Sequence, residues 1–273
     1  MIIKTLVENT SFSPKYKHKH GVCFYIETQY HKILFDLGSN GLFLENARKL
    51  GVNIGDVDTV IISHGHTDHA GALNLFLKNN STAKVYVRSN AFDKHYTNVL
   101  GLKISVGIDC KLKNHPQIVL TDKLTVIDDE LTLFSDVTER ECFSRSNNEL
   151  FARVGNAVVK DDFSHEQSLI ISENGNAVLF AGCAHMGIVN IKKKAQELSE
   201  GRLTHVIGGF HLYNPISKKC EKDSLVNQIA RRLDDGSTQY YTCHCTGSRA
   251  FNSLKKVLGA RLNYLAAGSE VII

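Results

Sequence analysis

The segment Ser63-His64-Gly65-His66-Thr67-Asp68-His69-Ala70-Gly71 places three imidazoles and one carboxylate at positions 64 to 69, and the apolar run from Asp58 to Ser63 leads directly into it. An unbroken apolar run suits an interior strand covered on both faces. The chain must therefore fold so that a buried strand delivers a ligand-rich loop to the edge of a sheet. Imidazole nitrogen and carboxylate oxygen are donors that a borderline cation such as Zn²⁺ prefers. The spacing lets His64 and His66 share one ion, while Asp68 and His69, displaced along the turn, face a second, and Gly65 is expected to let the backbone bend sharply. The competing reading, in which Asp68 caps a helix and the histidines sit exposed on a turn, leaves this density of imidazoles unexplained. Asp68 can serve both uses, because a helix N-terminus favours a carboxylate.

One loop cannot complete the coordination of a cation, so other donors must return from distant strand ends. Three segments qualify: Gly182-Cys183-Ala184-His185, Gly208-Gly209-Phe210-His211 and Cys243-His244-Cys245-Thr246-Gly247, each at the carboxyl end of an apolar run. Open α/β sheets bind ligands there. His185 is the favoured added ligand, since Gly182 ends its strand and Gly187 opens the next helix. His211 and His244 read either as ligands or as a general acid toward a leaving group. Cys183 reads as a thiolate for the second ion or as a small buried side chain. Cys243 and Cys245, with no second pair, are weak evidence for a structural zinc site. His18, His31, His95, His115 and His205 have no ligand-like context, whereas His20 and His165 are harder to set aside.

Around these segments the pattern is that of a layered α/β chain. Strands are expected at 2–9, 22–28, 32–38, 58–63 and 83–89, with helices at 42–50 and 70–77. The second half repeats this grammar: a hairpin across Glu173-Asn-Gly-Asn176, a helix with Ile188, Ile191, Ala195 and Leu198 inward, strands at 204–209 and 239–243, and a helix with Leu225, Val226, Ile229 and Leu233 buried. Lys192, Lys193 and Lys194 are expected on a solvated face. Residues 90 to 165 carry weaker periodicity and read as an insertion that covers a pocket within one domain spanning 1–273.

Composition narrows the partners. The formal charge of +4 carries no basic block, so neither nucleic acid nor an anionic membrane is demanded, and a small-molecule substrate is the expected partner. Oligomeric state is not readable. No apolar stretch approaches the roughly eighteen residues of a membrane span, and polar Glu8 and Asn9 interrupt any signal-like start, which makes the cytoplasm the default location. Seven cysteines without a stapled spacing read as reduced thiols.

With these residues assembled, the chain resembles the metallo-β-lactamase-fold superfamily, whose H-x-H-x-D-H signature stands here as His64, His66, Asp68 and His69. The strings HGVCFYIET, ILFDLG, SHGHTDHAGAL, EQSLII, GCAHMGIVNI, GGFHL and CHCTG are similar to those of a subgroup, the 7,8-dihydropterin-6-methyl-4-(β-D-ribofuranosyl)aminobenzene 5′-phosphate synthase-like metal-dependent hydrolases. The resemblance implies a mixed α/β (α+β) fold, a four-layer αββα sandwich, with a dinuclear metal site at one edge of the sheets. Its implied cofactors are two divalent ions, zinc first, with Mn²⁺ or Fe²⁺ as alternatives. The G-H-T-x-G turn and G-D strand end of the best-known hydrolases do not occur here. His165-Glu166-Gln167-Ser168 and Gly182-Cys183 stand in their places, and His20-Gly21 belongs to a string typical of the subgroup.

The expected activity is hydrolysis of a phosphate ester or other small ester by a hydroxide held between two cations. His64, His66, Asp68, His69 and His185 are the expected ligands, with Cys183, His211 and His244 as further candidates. Asp68 would orient the water, and whichever of His211 and His244 is not a ligand would protonate the leaving group. The rivals are a metal-dependent synthase or transferase joining a phosphoribosyl-arylamine to a pterin, a nuclease, and a metal-containing binding protein without catalysis.

Overall fold

The computed structural model describes residues 1–201 and 203–273. Its contacts divide the chain into two compact units. The first comprises Met1–His95, Ser105–Asp122 and Leu265–Ile273, and the second Tyr96–Ile104 and Lys123–Tyr264.

The first unit is built on a seven-stranded sheet. Its strands are β1 (Ile2–Val7), β2 (Cys23–Glu27), β3 (Lys32–Phe35), β4 (Thr59–Ile61), β5 (Lys84–Arg88), β8 (Ile118–Thr121) and β20 (Glu270–Ile272), in the order β20-β1-β2-β3-β4-β5-β8. The strands β20 through β3 pair antiparallel, and β3, β4, β5 and β8 pair parallel. Parallel neighbours need a crossover. Helix α1 (Leu42–Lys49) supplies it between β3 and β4, and α2 (Thr67–Ala70) with α3 (Leu73–Asn79) supplies it between β4 and β5. One parity of each strand, such as Leu34, Val60, Ile62, Val85 and Val87, joins Phe43, Ala47, Leu73 and Phe76 of the helices in one core. The other parity, Phe24, Ile26, Ile33, Phe35 and Ile61, is buried as well. This burial on both faces is why β4 reads as an unbroken apolar run.

The helix expected over 70–77 is two short ones. Gly71 lies between them as the C-cap of the first, where a Cβ would stand 2.4 Å from the Thr67 carbonyl oxygen. The first begins three residues earlier than its apolar pattern suggests, with His66 as N-cap, so Asp68 and His69 lie in its opening turn.

The second unit holds another seven-stranded sheet, made of β9 (Leu124–Val126), β10 (Leu131–Phe134), β13 (Ser168–Glu173), β14 (Asn176–Ala181), β15 (Leu203–Gly208), β18 (Gln239–Thr242) and β19 (Leu262–Tyr264). Its order is β19-β18-β15-β14-β13-β10-β9, with β14, β15, β18 and β19 parallel. Helices α4 (Ile188–Leu198), α5 (Asp223–Leu233) and α6 (Ser248–Leu258) link those parallel strands and share a core with them. Val226, Ile229, Ala230 and Leu233 form the buried stripe of α5, and each fully buried Val, Ile or Leu stabilises by about 1.5–3 kcal/mol.

Of the weakly patterned stretch from 90 to 165, β8 extends the first sheet and β9 and β10 extend the second. The remainder, β6 (His95–Val99), β7 (Leu102–Ser105), β11 (Leu150–Val154) and β12 (Ala157–Lys160), forms a separate four-stranded sheet in the order β12-β11-β6-β7. A two-stranded ribbon, β16 (Tyr213–Asn214) with β17 (Lys219–Cys220), completes the strands. Among the described residues no helix is long and apolar enough to cross a membrane.

The lysine run departs from its expected solvated face at one position. Side-chain exposure is 63% at Lys193 and 39% at Lys194 but 5% at Lys192. Lys192 lies four residues after Ile188 and three before Ala195, which puts it on their buried face. Its Nζ donates to Asp235 Oδ2 at 2.6 Å and Tyr240 Oη at 2.8 Å. Burial pushes the Asp235 carboxyl up, but hydrogen bonds from Lys192, Thr238 and Ser237 outweigh it and hold the group well below the ordinary carboxylate range.

A Lys192→Met variant is expected to lose stability in the lower half of the about 1.5–3 kcal/mol range for a charged hydrogen bond, because Asp235 keeps some contact with solvent. A depressed carboxyl stabilises above its unfolded value near pH 4 and loses that contribution as pH falls toward its folded value. Urea melts near neutrality and at about pH 3 should therefore show the deficit shrinking in acid; an equal deficit at both would contradict the pairing.

Candidate metal centre

In the first unit, His64, His66 and His69 are all buried. The ring of His64 lies 4.6 Å from that of His66 and 4.2 Å from that of His69, centroid to centroid. The buried carboxylate of Asp36, at the carboxyl end of β3, organises them. Its Oδ1 accepts the Ser63 backbone N–H at 2.8 Å, and its Oδ2 accepts the Ser63 hydroxyl at 2.7 Å and faces His69 Nδ1 at 2.6 Å. Ser63 Oγ lies 2.8 Å from His64 Nδ1. An ionised carboxylate only accepts, so the Ser63 hydroxyl gives it a proton and takes a hydrogen bond from His64. This network assigns the proton of both His64 and His69 to Nδ1, leaving the lone pair on Nε2.

Asp68 is partly exposed, with Oδ2 3.1 Å from His20 Nε2 and 3.7 Å from His69 Nε2. Gly21 brings His20 there. Its φ is +138°, a Cβ would sit 2.4 Å from the Asp68 carbonyl oxygen, and the Val22 N–H donates to that same oxygen at 3.2 Å. Thr67 anchors the loop, its backbone N–H and hydroxyl both donating to the Val106 carbonyl at 2.7 and 2.8 Å.

The backbone bends at His64 and Gly65, as expected, but not through a left-handed glycine. Gly65 is not among the residues of positive φ, and glycine is required instead by close approach, since a Cβ would stand 2.2 Å from the Ala91 carbonyl oxygen. His95 is buried, with its ring 5.8 Å from that of His66.

In the second unit, the three predicted segments each follow the carboxyl end of a parallel strand: Cys183 and His185 after β14, His211 after β15, and His244 after β18. His185 is buried, with Nδ1 3.0 Å from Asn147 Oδ1, while Asn147 Nδ2 donates to the His185 carbonyl at 2.8 Å. That pair fixes the amide orientation and again puts the imidazole proton on Nδ1. Phe163 stacks on the ring at 4.5 Å, with 3° between the planes. The buried carboxylate of Glu166 accepts the backbone N–H of His185 at 2.7 Å and of Met186 at 2.9 Å. Burial pushes it up to about 7, against those two hydrogen bonds and the charge of His211. His165 pairs with Asp161 at 3.2 Å.

His211 lies 4.2 Å from His185, ring to ring. Its backbone N–H meets Cys245 Sγ at 3.2 Å, and its carbonyl accepts the Ser144 hydroxyl at 2.6 Å. His244 opens the 3₁₀ turn His244–Thr246 and is buried. Burial raises the Cys245 thiol, but Cys183 and His211 beside it and the charges of His244 and His211 outweigh it and hold the thiol well below its usual value. Asp36, Ala184, His211 and His244 all have φ between 49° and 58°. Such backbone costs non-glycine residues about 1–3 kcal/mol each and is concentrated at functional sites.

The donors suit a divalent metal. His64, His69 and His185 each commit Nδ1 to a protein acceptor and carry the lone pair on Nε2, which is how metal-binding imidazoles are held. Sequence reasoning missed Asp36 and Asn147, and weighed Cys245 only together with Cys243, as weak evidence for a structural zinc site. Asp36 has a signal, a carboxylate ending a buried strand in FDLG, and Cys245 stands one residue from a candidate ligand. Asn147 lies in a stretch without pattern.

The family model described as metallo-beta-lactamase superfamily matches residues 18–138. The uncharacterized protein MJ0448 of Methanocaldococcus jannaschii is 30% identical over 264 residues, 94% of each chain. The same organism's 7,8-dihydropterin-6-methyl-4-(beta-D-ribofuranosyl)-aminobenzene-5'-phosphate synthase is 25% identical over 98% of this chain and 95% of that one. The crystal structure of Tm1679, described as a metal-dependent hydrolase of the beta-lactamase superfamily, superposes with a TM-score of 0.84 at 28% identity, over 100% of this chain and 99% of that one. A histidine loop at the end of a buried parallel strand, together with likeness along nearly the whole chain, places this protein in the metallo-β-lactamase superfamily, with the mixed α/β fold of that family.

Proposed function

We propose that the chain is a hydrolase that uses two divalent ions, zinc first among them, on a phosphate ester or other small ester. His64, His66, Asp68, His69 and His185 would hold the metal, with Cys183, His211 and His244 as further donors. The observation that carries the reading is the buried trio of imidazoles at the end of β4, two of them set by Asp36 and Ser63 to present Nε2. Bound divalent metal supplies Lewis acidity and brings the pKa of water down toward about 7.

The chain's own groups do the rest. Asp68, partly exposed beside His20, accepts a proton from the attacking water and orients it. Whichever of His211 and His244 does not hold metal gives a proton to the leaving oxygen. Replacing Asp68 by Ala is expected to lower turnover of a generic phosphodiester or ester by about 10²–10⁴-fold, with metal content measured in parallel. Unchanged turnover, or full activity in metal-free protein, would refute the reading.

A second reading is favoured by the likeness to the synthase of Methanocaldococcus jannaschii over nearly both full lengths. It makes the chain a metal-dependent synthase joining a phosphoribosylated arylamine to a pterin. Incubation with the arylamine and a pterin pyrophosphate, followed by mass spectrometry for a joined product, separates the two.

A further inference from the structure

Three buried donors of the second unit converge without help from the histidine loop. The Sγ atoms of Cys183 and Cys245 and a ring nitrogen of His211 all lie within 4.8 Å of one another. Cys183 and Cys245 are each 3% exposed and His211 7%, and neither cysteine is in a disulfide. Neither ring nitrogen of His211 meets a hydrogen-bond partner among the described residues. A buried imidazole without a partner forfeits about 1–3 kcal/mol of desolvation for each unsatisfied group, so its position calls for a ligand.

The surrounding backbone is shaped to keep these atoms close. Gly208 runs so near β14 that a Cβ would stand 1.9 Å from the Ala181 carbonyl oxygen, and a Cβ on Gly209 would stand 2.5 Å from Cys245 Sγ. The His211 N–H points at that same sulfur, at 3.2 Å. Two glycines in succession thus hold the His211 segment against Cys245.

We infer that Cys183, His211 and Cys245 form a sulfur-rich metal position that takes a thiophilic divalent ion, zinc or cadmium, in preference to Mg²⁺ or Mn²⁺. This rests on the proposed metal centre and adds Cys245 to it as a ligand. Zinc–sulfur bonds of about 2.3 Å in a tetrahedron separate two sulfurs by about 3.8 Å, so the three donors need close by no more than about 1 Å. Thiolate donors select soft and borderline ions, whereas Mg²⁺ and Mn²⁺ prefer oxygen. Sulfur from two strand ends would therefore set which ion this chain takes up.

Cobalt(II) replacing the native ion reads the donors directly, because thiolate ligation adds an intense near-ultraviolet charge-transfer band to the visible d–d bands. The wild-type chain should show both. Cys245→Ser and Cys183→Ser should each cut the charge-transfer intensity per cobalt by about half, the double variant should abolish it, and Cys142→Ser should leave it unchanged. Cadmium-113 resonance of the wild-type chain gives the same answer without a substitution, through a shift in the range of sulfur donors. Cobalt bound with d–d bands alone would overturn the sulfur position and leave the histidine centre standing. Failure to bind cobalt or cadmium at all would overturn both.

Discussion

Asp36→Asn is expected to lower affinity for divalent metal by about 10–100-fold, although no atom of Asp36 is among the proposed ligands. The amide keeps an oxygen where Oδ1 accepts the Ser63 N–H but replaces Oδ2 with a donor. Its two hydrogens then meet Ser63 Oγ and His69 Nδ1, the two groups that Oδ2 now faces. His69 must accept at Nδ1, which moves its proton to Nε2. Ser63, now accepting from the amide, turns its own hydrogen toward His64 Nδ1, 2.8 Å away, and His64 changes tautomer as well. One isosteric change thus protonates the metal-facing nitrogen of two imidazoles at once. Chelator competition measures the affinity, and nitrogen-15 shifts of the imidazoles report the tautomers. Unaltered affinity with both protons still on Nδ1 would show that Asp36 does not set the rings.

Why Asp36 escapes a linear reading is instructive. The histidine loop is legible because its donors are contiguous and follow a strand whose burial on both faces makes it apolar throughout. The ends of β14, β15 and β18 are legible for the same reason, since parallel strands deliver their carboxyl ends to one side of a sheet. Asp36 acts across 33 positions of sequence on His69, and Asn147 across 38 on His185. Nothing local in either distinguishes a carboxylate or amide bonded to an imidazole from one that closes a turn.

Lys192 shows the opposite failure. Its neighbours Lys193 and Lys194 make the run look solvated, yet the helical period alone would have placed it beside Ile188 and Ala195. The edges of the sheets were hidden for another reason. Strands β7 and β12 are exposed along their whole length, so no alternation of burial marks them. The C-terminal strand β20 is recognisable as a strand only through its pairing with β1.

Gly65→Ala should be the most damaging single-methyl change in the histidine loop. The added carbon would stand 2.2 Å from the Ala91 carbonyl oxygen, 2.9 Å from its carbon and 3.0 Å from its Cα. All three are backbone atoms, so no rotamer can relieve the contact. The loop must withdraw by about 1 Å, a displacement that in catalytic sites can cost about 10²-fold in rate, and His64 and His66 flank the point that moves. Overpacking of this kind also costs about 1–3 kcal/mol in stability. Gly55→Ala is the control, because its nearest neighbour is the Asn53 side chain at 3.4 Å and its φ is ordinary. That variant should stay within about 0.5 kcal/mol of the parent, with activity intact. Thermal melts, metal titration and turnover for the two variants side by side decide the matter. If Gly65→Ala binds metal and turns over like Gly55→Ala, then close approach to Ala91 does not position the histidines, and glycine at 65 has no part in the metal centre.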